Sequence, residues 1–163
     1  MNMTSTDAAA TASVRKSVTV NAGPERAFKV FTERMGAWWP KTHSTGSAPL
    51  ADAIIEPRLG GRWYERGEDG SECEWGKVLA WDPPRGLILA WQTNGEWKFD
   101  ENLITEVEIV FTEVEPGRTR VDLEHRNLDR FGPASDQMRE AFESPDGWSG
   151  ILAKYVEEAE AAA

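Results

Sequence analysis

Near its C-terminus the chain carries one apolar stripe at helical period. Trp148, Ile151, Leu152, Tyr155, Val156 and Ala159 stand at i, i+3, i+4, i+7, i+8 and i+11. A helix with one greasy face must bury it against something broad. Ahead of it lie about six strand-like runs and a single other good helix, near the N-terminus. These parts predict an α+β fold in which a long terminal helix lies across a curved antiparallel sheet of about six to seven strands. Such a shape can enclose a pocket.

The strand runs are separated by strong turn chemistry. Residues 14–21 alternate apolar and polar side chains as a half-buried strand does. Gly23-Pro24 opens a helix whose buried face is Ala27, Phe28, Phe31 and Met35, with Gly36 expected to end it. Trp38-Trp39-Pro40 makes an aromatic turn, and residues 40–50 read as a mobile loop. Strands are expected at 51–57, 61–66, 72–81, 86–93, 103–114 and 118–127. They are punctuated by Gly60-Gly61, Glu68-Asp69-Gly70, Asp82-Pro83-Pro84, Asn94-Gly95 and Glu115-Pro116-Gly117. Residues 134–142 are expected to be helical, and Ser144-Pro145 to restart the helix as N-cap and first residue. The order is β-α-β-β-β-β-β-β-α. The run of Glu157, Glu158 and Glu160 falls on the unfavourable end of the last helix dipole and predicts a frayed, solvated tail.

The 163 residues suffice for one domain, expected over 14–160, behind a small-residue, polar tail at 1–13 that is expected to be disordered and has no leader signature. A balance of 28 acidic to 18 basic residues, net charge -10, argues against nucleic acid as a partner. No stretch approaches a membrane span, and a cytoplasmic location is expected. Cys73 is alone, so no internal disulfide forms. No cofactor signature is present, and two His with one Cys are too few for a His/Cys zinc site. Nucleophile-elbow, phosphate-loop and HExxH motifs are also absent. The oddity is eight Trp residues. Each indole N–H wants a partner when buried, so the set fits either a lined cavity or a Trp-rich packed core.

Several segments together resemble a known family: VTVNAGPERAFKVFTE, the Trp38-Trp39 pair, IIEPRLGGRWYERGEDG, WGKVLAWDPP, LEHRNL and the Gly147-Trp148 helix start. In this order they are similar to the branch of the START-like, or SRPBCC, superfamily named after the activator of the heat-shock protein 90 ATPase. The resemblance covers about residues 14–160 and implies a helix-grip fold, with an elongated cavity between sheet and terminal helix. It implies binding or transformation of hydrophobic molecules such as lipids, polyketides and hormones. The branch name comes from eukaryotic co-chaperones in which this domain sits beside a separate chaperone-binding domain.

Alternation then nominates the cavity wall. Val107, Ile109 and Phe111 on one long strand, and Leu123 and His125 on the next, face the helix. His125 is a polar anchor or acid/base if it meets a ligand, and a satisfied rim histidine if it does not. His43 faces the ligand only if its loop covers the mouth. Trp63 and Glu65 share a strand face. An inward Glu65 in an apolar pocket would have a raised pKa, whereas at the strand end it would pair with an arginine. Trp75 and Trp91 are wall candidates that could stack across neighbouring strands, Trp39 belongs to the aromatic turn, and Trp148 could close one end. The leading expectation is binding of a small hydrophobic or amphipathic molecule. The alternatives are a cyclase, dehydratase or hydrolase acting on a polyketide-like substrate, and a co-chaperone role requiring an apolar outer sheet face. A homodimer is compatible with all three.

Overall fold

The computed structural model describes residues 13–161. All but the last residue of the expected N-terminal tail lies outside that range. Seven antiparallel strands form one sheet in the order β1-β7-β6-β5-β4-β3-β2. They are β1 (Val14–Val20), β2 (Leu50–Ile55), β3 (Arg62–Gly67), β4 (Glu72–Asp82), β5 (Gly86–Trp91), β6 (Thr105–Glu115) and β7 (Arg118–Arg126). Strands β2 to β7 follow one another as a meander, and β1 adds to the far edge beside β7. This is the helix-grip arrangement: the sheet curls around a C-terminal helix, α4 (Trp148–Ala161).

Alternation places Val107, Ile109, Phe111, Val121 and Leu123 on the inner face, and all are buried. Trp148, Ile151, Leu152, Tyr155 and Ala159 of α4 are buried with them. Each such large side chain is worth roughly 1.5–3 kcal/mol when removed from water. The Tyr155 hydroxyl donates to the Ala27 carbonyl at 2.7 Å, fastening α4 to helix α1 (Pro24–Glu33).

The helical segments differ from the sequence reading in several places. Helix α1 stops at Glu33 because Arg34 leaves helical geometry, and a separate turn, α2 (Met35–Trp38), follows. Gly36 therefore ends no helix. It sits where a Cβ would collide with Asp52, so glycine lets α2 lie directly against β2. Ser144 does not cap α4. Its hydroxyl donates backwards to Ala141 at 2.7 Å, closing helix α3 (Ser135–Glu143), and α4 begins one turn later at Trp148. A 3-10 turn over Leu128–Ala134, which periodicity did not suggest, leads into α3. Two of the three C-terminal glutamates are tied down: Glu158 pairs with Arg34 at 3.0 Å, and Glu160 accepts the Asn21 N–H at 2.8 Å. Arg26 donates to the Ala159 carbonyl, satisfying one of the helix's open acceptors.

Candidate functional site

At the centre of the sheet–helix interface Ile109, Phe111 and Leu123 are buried with Leu152 and Tyr155 in one apolar cluster. The opening lies at one end, where four pieces converge: the loop after α2, the ends of β4 and β5, the turn after β5, and the α3–α4 junction. The pocket holds about 380 Å³. Trp39, Trp75, Trp91 and Trp148 form its inner wall, each less than a tenth exposed. Trp97 stands at the rim with 45% of its surface exposed. Phe142 and Ile151 add apolar surface, and Thr42, His43, Ser44, Thr45 and Thr93 supply polar atoms.

Local sequence explains the placement of the indoles. On β4 the pairing with β3 skips a residue: Tyr64 opposes Glu74 and Trp63 opposes Gly76, so Trp75 is the extra member of a bulge. A bulge re-aims side chains, and here it brings Trp75 inward beside Trp63, with ring centroids 5.6 Å apart. Trp63 also touches Trp91 edge-on at 5.7 Å. Thus the expected stack of Trp75 on Trp91 is replaced by contacts that run through Trp63. Gly147 lies where a Cβ would run into the carbonyls of Ala141 and Phe142, so only glycine lets the α3–α4 junction close on the pocket.

Each of the six most enclosed indoles finds an acceptor. Trp38 donates to Val30, Trp39 to His43, Trp63 to the Met35 sulfur, Trp91 to Thr93, Trp75 to Glu65 and Trp148 to His125. Both readings of the Trp content therefore hold in part, with Trp38 and Trp63 packed and the other four lining.

Glu65 is a buried carboxylate one layer behind this wall. It accepts hydrogen bonds from the Ser44 hydroxyl at 2.5 Å, the Thr45 N–H at 2.7 Å, the Thr45 hydroxyl at 3.0 Å and the Trp75 N–H at 3.0 Å. Burial alone would push its pKa up. The four donors to the charged form outweigh burial and hold it below the ordinary value. This reverses the rise expected for an inward carboxylate. Nor does it pair with an arginine: Arg62 and Arg66, on the same strand, turn outward to Glu72 and Glu74. By gripping Ser44 and Thr45, Glu65 fixes the loop that makes one side of the pocket.

His125 does not reach the pocket. It is wholly buried beneath Trp148. The Trp148 N–H donates to its Nδ1 at 3.2 Å, so the neutral ring carries its proton on Nε2 and donates to the Thr105 hydroxyl at 2.8 Å. Thr105 passes its own proton to the Trp91 carbonyl at 3.1 Å. Burial pushes the pKa of His125 down to about 3. Near neutral pH it is a structural connector between two wall tryptophans and carries no exchangeable charge.

His43 is at the pocket wall. Its Nε2 donates to the Asp146 carbonyl at 2.6 Å, and its Nδ1 lies 3.1 Å from the Thr42 hydroxyl. The bond to Asp146 clips the loop to the α3–α4 junction. Of the residues nominated from sequence, Trp39, His43, Trp75, Trp91 and Trp148 are brought together around the opening. Trp63, Glu65 and His125 lie behind it, and Val107, Ile109, Phe111 and Leu123 are core. Sequence reasoning missed Thr42, Ser44, Thr45, Thr93, Trp97, Phe142 and Asp146. The available signal was an indole inside a polar turn, Asn94-Gly95-Glu96-Trp97, and a hydroxyl-rich loop beside His43. Among the described residues no group of three or more His, Cys, Asp and Glu side chains converges as a metal site would, and no helix is long and apolar enough to cross a membrane.

The geometry defines an α+β helix-grip protein with an aromatic pocket at one end of the grip. Residues 21–157 match the model of the activator of Hsp90 ATPase homolog 1-like proteins, and the chain belongs to that family. It is similar to an anthrahydroquino-γ-pyrone synthase, Txn09, with 38% identity over 90% of this chain and 96% of that one, at a TM-score of 0.64. It is also similar to CalC, a self-sacrificing resistance protein from Micromonospora echinospora, with 35% identity over 90% and 93% of the two chains and a TM-score of 0.67. Protein NE0264 from Nitrosomonas europaea shares the fold at a TM-score of 0.65, with 14% identity over 94% and 97% of the two chains. No curated protein matches the chain.

Proposed function

We propose that this protein binds a small hydrophobic or amphipathic molecule with a flat aromatic body in the pocket at the end of the grip. The observation that carries the reading is the convergence of Trp39, Trp75, Trp91, Trp97 and Trp148 around about 380 Å³ of space. That volume lies within the range of roughly 300–1,000 Å³ typical of small-molecule sites, and apolar walls with few polar groups are their usual composition. The name of one relative at 38% identity, the anthrahydroquino-γ-pyrone synthase Txn09, supports it. The test is a titration of intrinsic Trp emission and melting temperature against a panel of tricyclic and tetracyclic aromatic compounds. Binding at a hundredfold excess over Kd adds about 2.7 kcal/mol to stability, and a panel that moves neither signal defeats the reading.

A second reading is favoured by the synthase relative: ring closure on a polyketide-like substrate. His43 is the imidazole at the pocket, so it would carry the proton, with the Asp146 carbonyl orienting it. His43→Gln then abolishes turnover while changing affinity less than threefold. Equal loss of both would leave binding as the whole function. The co-chaperone reading gains no support from the outer sheet face, where Arg126 bridges Glu106, Glu108 and Glu124.

A further inference from the structure

Resting on the binding reading above, we infer that the guest carries a protonated amine or quaternary ammonium group, seated among the indole faces on the Glu65 side of the pocket. Three independent features of the site select for positive charge.

The first is the arrangement of the rings. Trp39 meets Trp75 at 4.9 Å and 42°, and Trp148 at 6.0 Å and 77°; Trp148 meets Trp91 at 5.9 Å and 69°. These planes do not stack as a parallel slot. They are inclined to one another, and all four rings line the same space. An indole is the best aromatic partner of a cation.

The second is the inventory of charge. No Lys or Arg lines the pocket, and the one acidic residue in its lining is Asp146. Both ring nitrogens of His43 are engaged, by Thr42 and by the Asp146 backbone. A carboxylate or phosphate guest would lose its water and find no countercharge, a large penalty.

The third is Glu65. It is 1% exposed, and its four donors are neutral hydroxyl, amide and indole groups. The nearby guanidinium of Arg62 is spent on Glu72 and Glu74. The charge of Glu65 is therefore solvated by dipoles and not cancelled, and its field extends into the adjacent pocket, where low dielectric preserves it. It also holds the N–H of Trp75, and that bond pushes electron density into a ring that lines the site. One residue thus makes the pocket negative and makes its wall a better cation acceptor.

Three probes of one shape separate charge from bulk: (9-anthracenylmethyl)trimethylammonium, 9-anthracenemethanol and 9-anthracenecarboxylate. Each is titrated against the full chain by energy transfer from Trp to anthracene. The cation is expected to bind at least about tenfold tighter than the alcohol, and the carboxylate weaker than the alcohol by a similar factor. In Glu65→Gln the ratio of cation to alcohol affinity should shrink below threefold, the ratio being the readout because a loosened loop moves both affinities together. Should that variant fail to fold, Asp146→Asn, which keeps bulk and removes charge, and Trp97→Leu, which keeps an apolar side chain and removes the π face, carry the same comparison of cation with alcohol. An alcohol that binds as well as the cation, or a gap that survives Glu65→Gln, Asp146→Asn and Trp97→Leu, overturns the inference and leaves the binding reading standing. No binding by any probe overturns both.

Discussion

Trp97 holds a backbone φ of 62°, in the left-handed region that glycine or asparagine ordinarily fills. The turn around it is closed by Asn94, whose side chain accepts the N–H groups of Glu96 and Lys98. A left-handed non-glycine residue costs roughly 1–2 kcal/mol, and glycine returns about 0.5–1 kcal/mol of that as unfolded-state entropy. Trp97→Gly should therefore leave unfolding free energy within about 1 kcal/mol of the parent. Affinity for an aromatic guest should fall about tenfold, through loss of a rim ring. Denaturant melts and fluorescence titration of the same sample check both halves. The sequence pointed to Asn94-Gly95 as the turn but could not say that the positive φ would fall two residues later, on an indole.

His125 gives the second prediction at this scale. Its pKa falls from 6.5 in the unfolded chain to about 3 when buried. Below pH 6.5 the unfolded chain binds the proton that the folded one refuses, so the stability contributed by neutral His125 is complete above 6.5 and is lost as pH falls toward 3. The slope approaches about 1.4 kcal/mol per pH unit. Glu65 acts in the same direction, but its ordinary value of 4.5 delays it until more acidic solution. Melting temperature against pH should thus slope between 6.5 and 4.5 in the parent, and flatten there in His125→Gln. Alternation placed His125 on the inner face; its partners, Thr105 on β6 and Trp148 on α4, are contacts that no single-strand pattern encodes.

Among the elements, the loop between α2 and β2 is the least regular and the most determined by contacts far along the chain. Its residues Ser44 and Thr45 are fixed by Glu65, about 20 positions later, and His43 is fixed by Asp146, 103 positions later. Glu65→Ala strands these donors and should cost about 1–3 kcal/mol, with amide exchange quickening first at 43–48. Exchange that quickens uniformly over the sheet would contradict that assignment. Gly147→Ala forces a methyl onto two carbonyls at the α3–α4 junction and should cost a similar 1–3 kcal/mol. The strands and helices were readable because each needs only its own period. The loop, the bulge at Trp75 and the start of α4 were not, because each is decided by which distant group takes the local hydrogen bonds.

On the scale of the whole molecule, the family resemblance carried the topology, and the composition carried the charge. Neither located the opening at one end of the sheet–helix interface, because it is made by the loop after α2 and the α3–α4 junction, while Val107, Ile109, Phe111 and Leu123 are buried in the core. A net charge of -10 is concentrated partly on the outer sheet face, where Arg126 holds three glutamates together. Arg126→Ala leaves those carboxylates facing one another. It should lower stability by about 1 kcal/mol at low ionic strength and by visibly less in 1 M salt, because such partly exposed pairs are screened. A salt-independent loss would mean that packing of the arginine stem matters more than its charge.

Trp148 has a consequence of its own. It shows one side to the vacant space while its N–H is bolted through His125 and Thr105 to the backbone of β5. A visitor cannot swing this indole aside without unfastening the interior. On the binding reading proposed above, this side of the chamber keeps its outline when a guest enters, and a tightly held guest makes the whole molecule harder to melt.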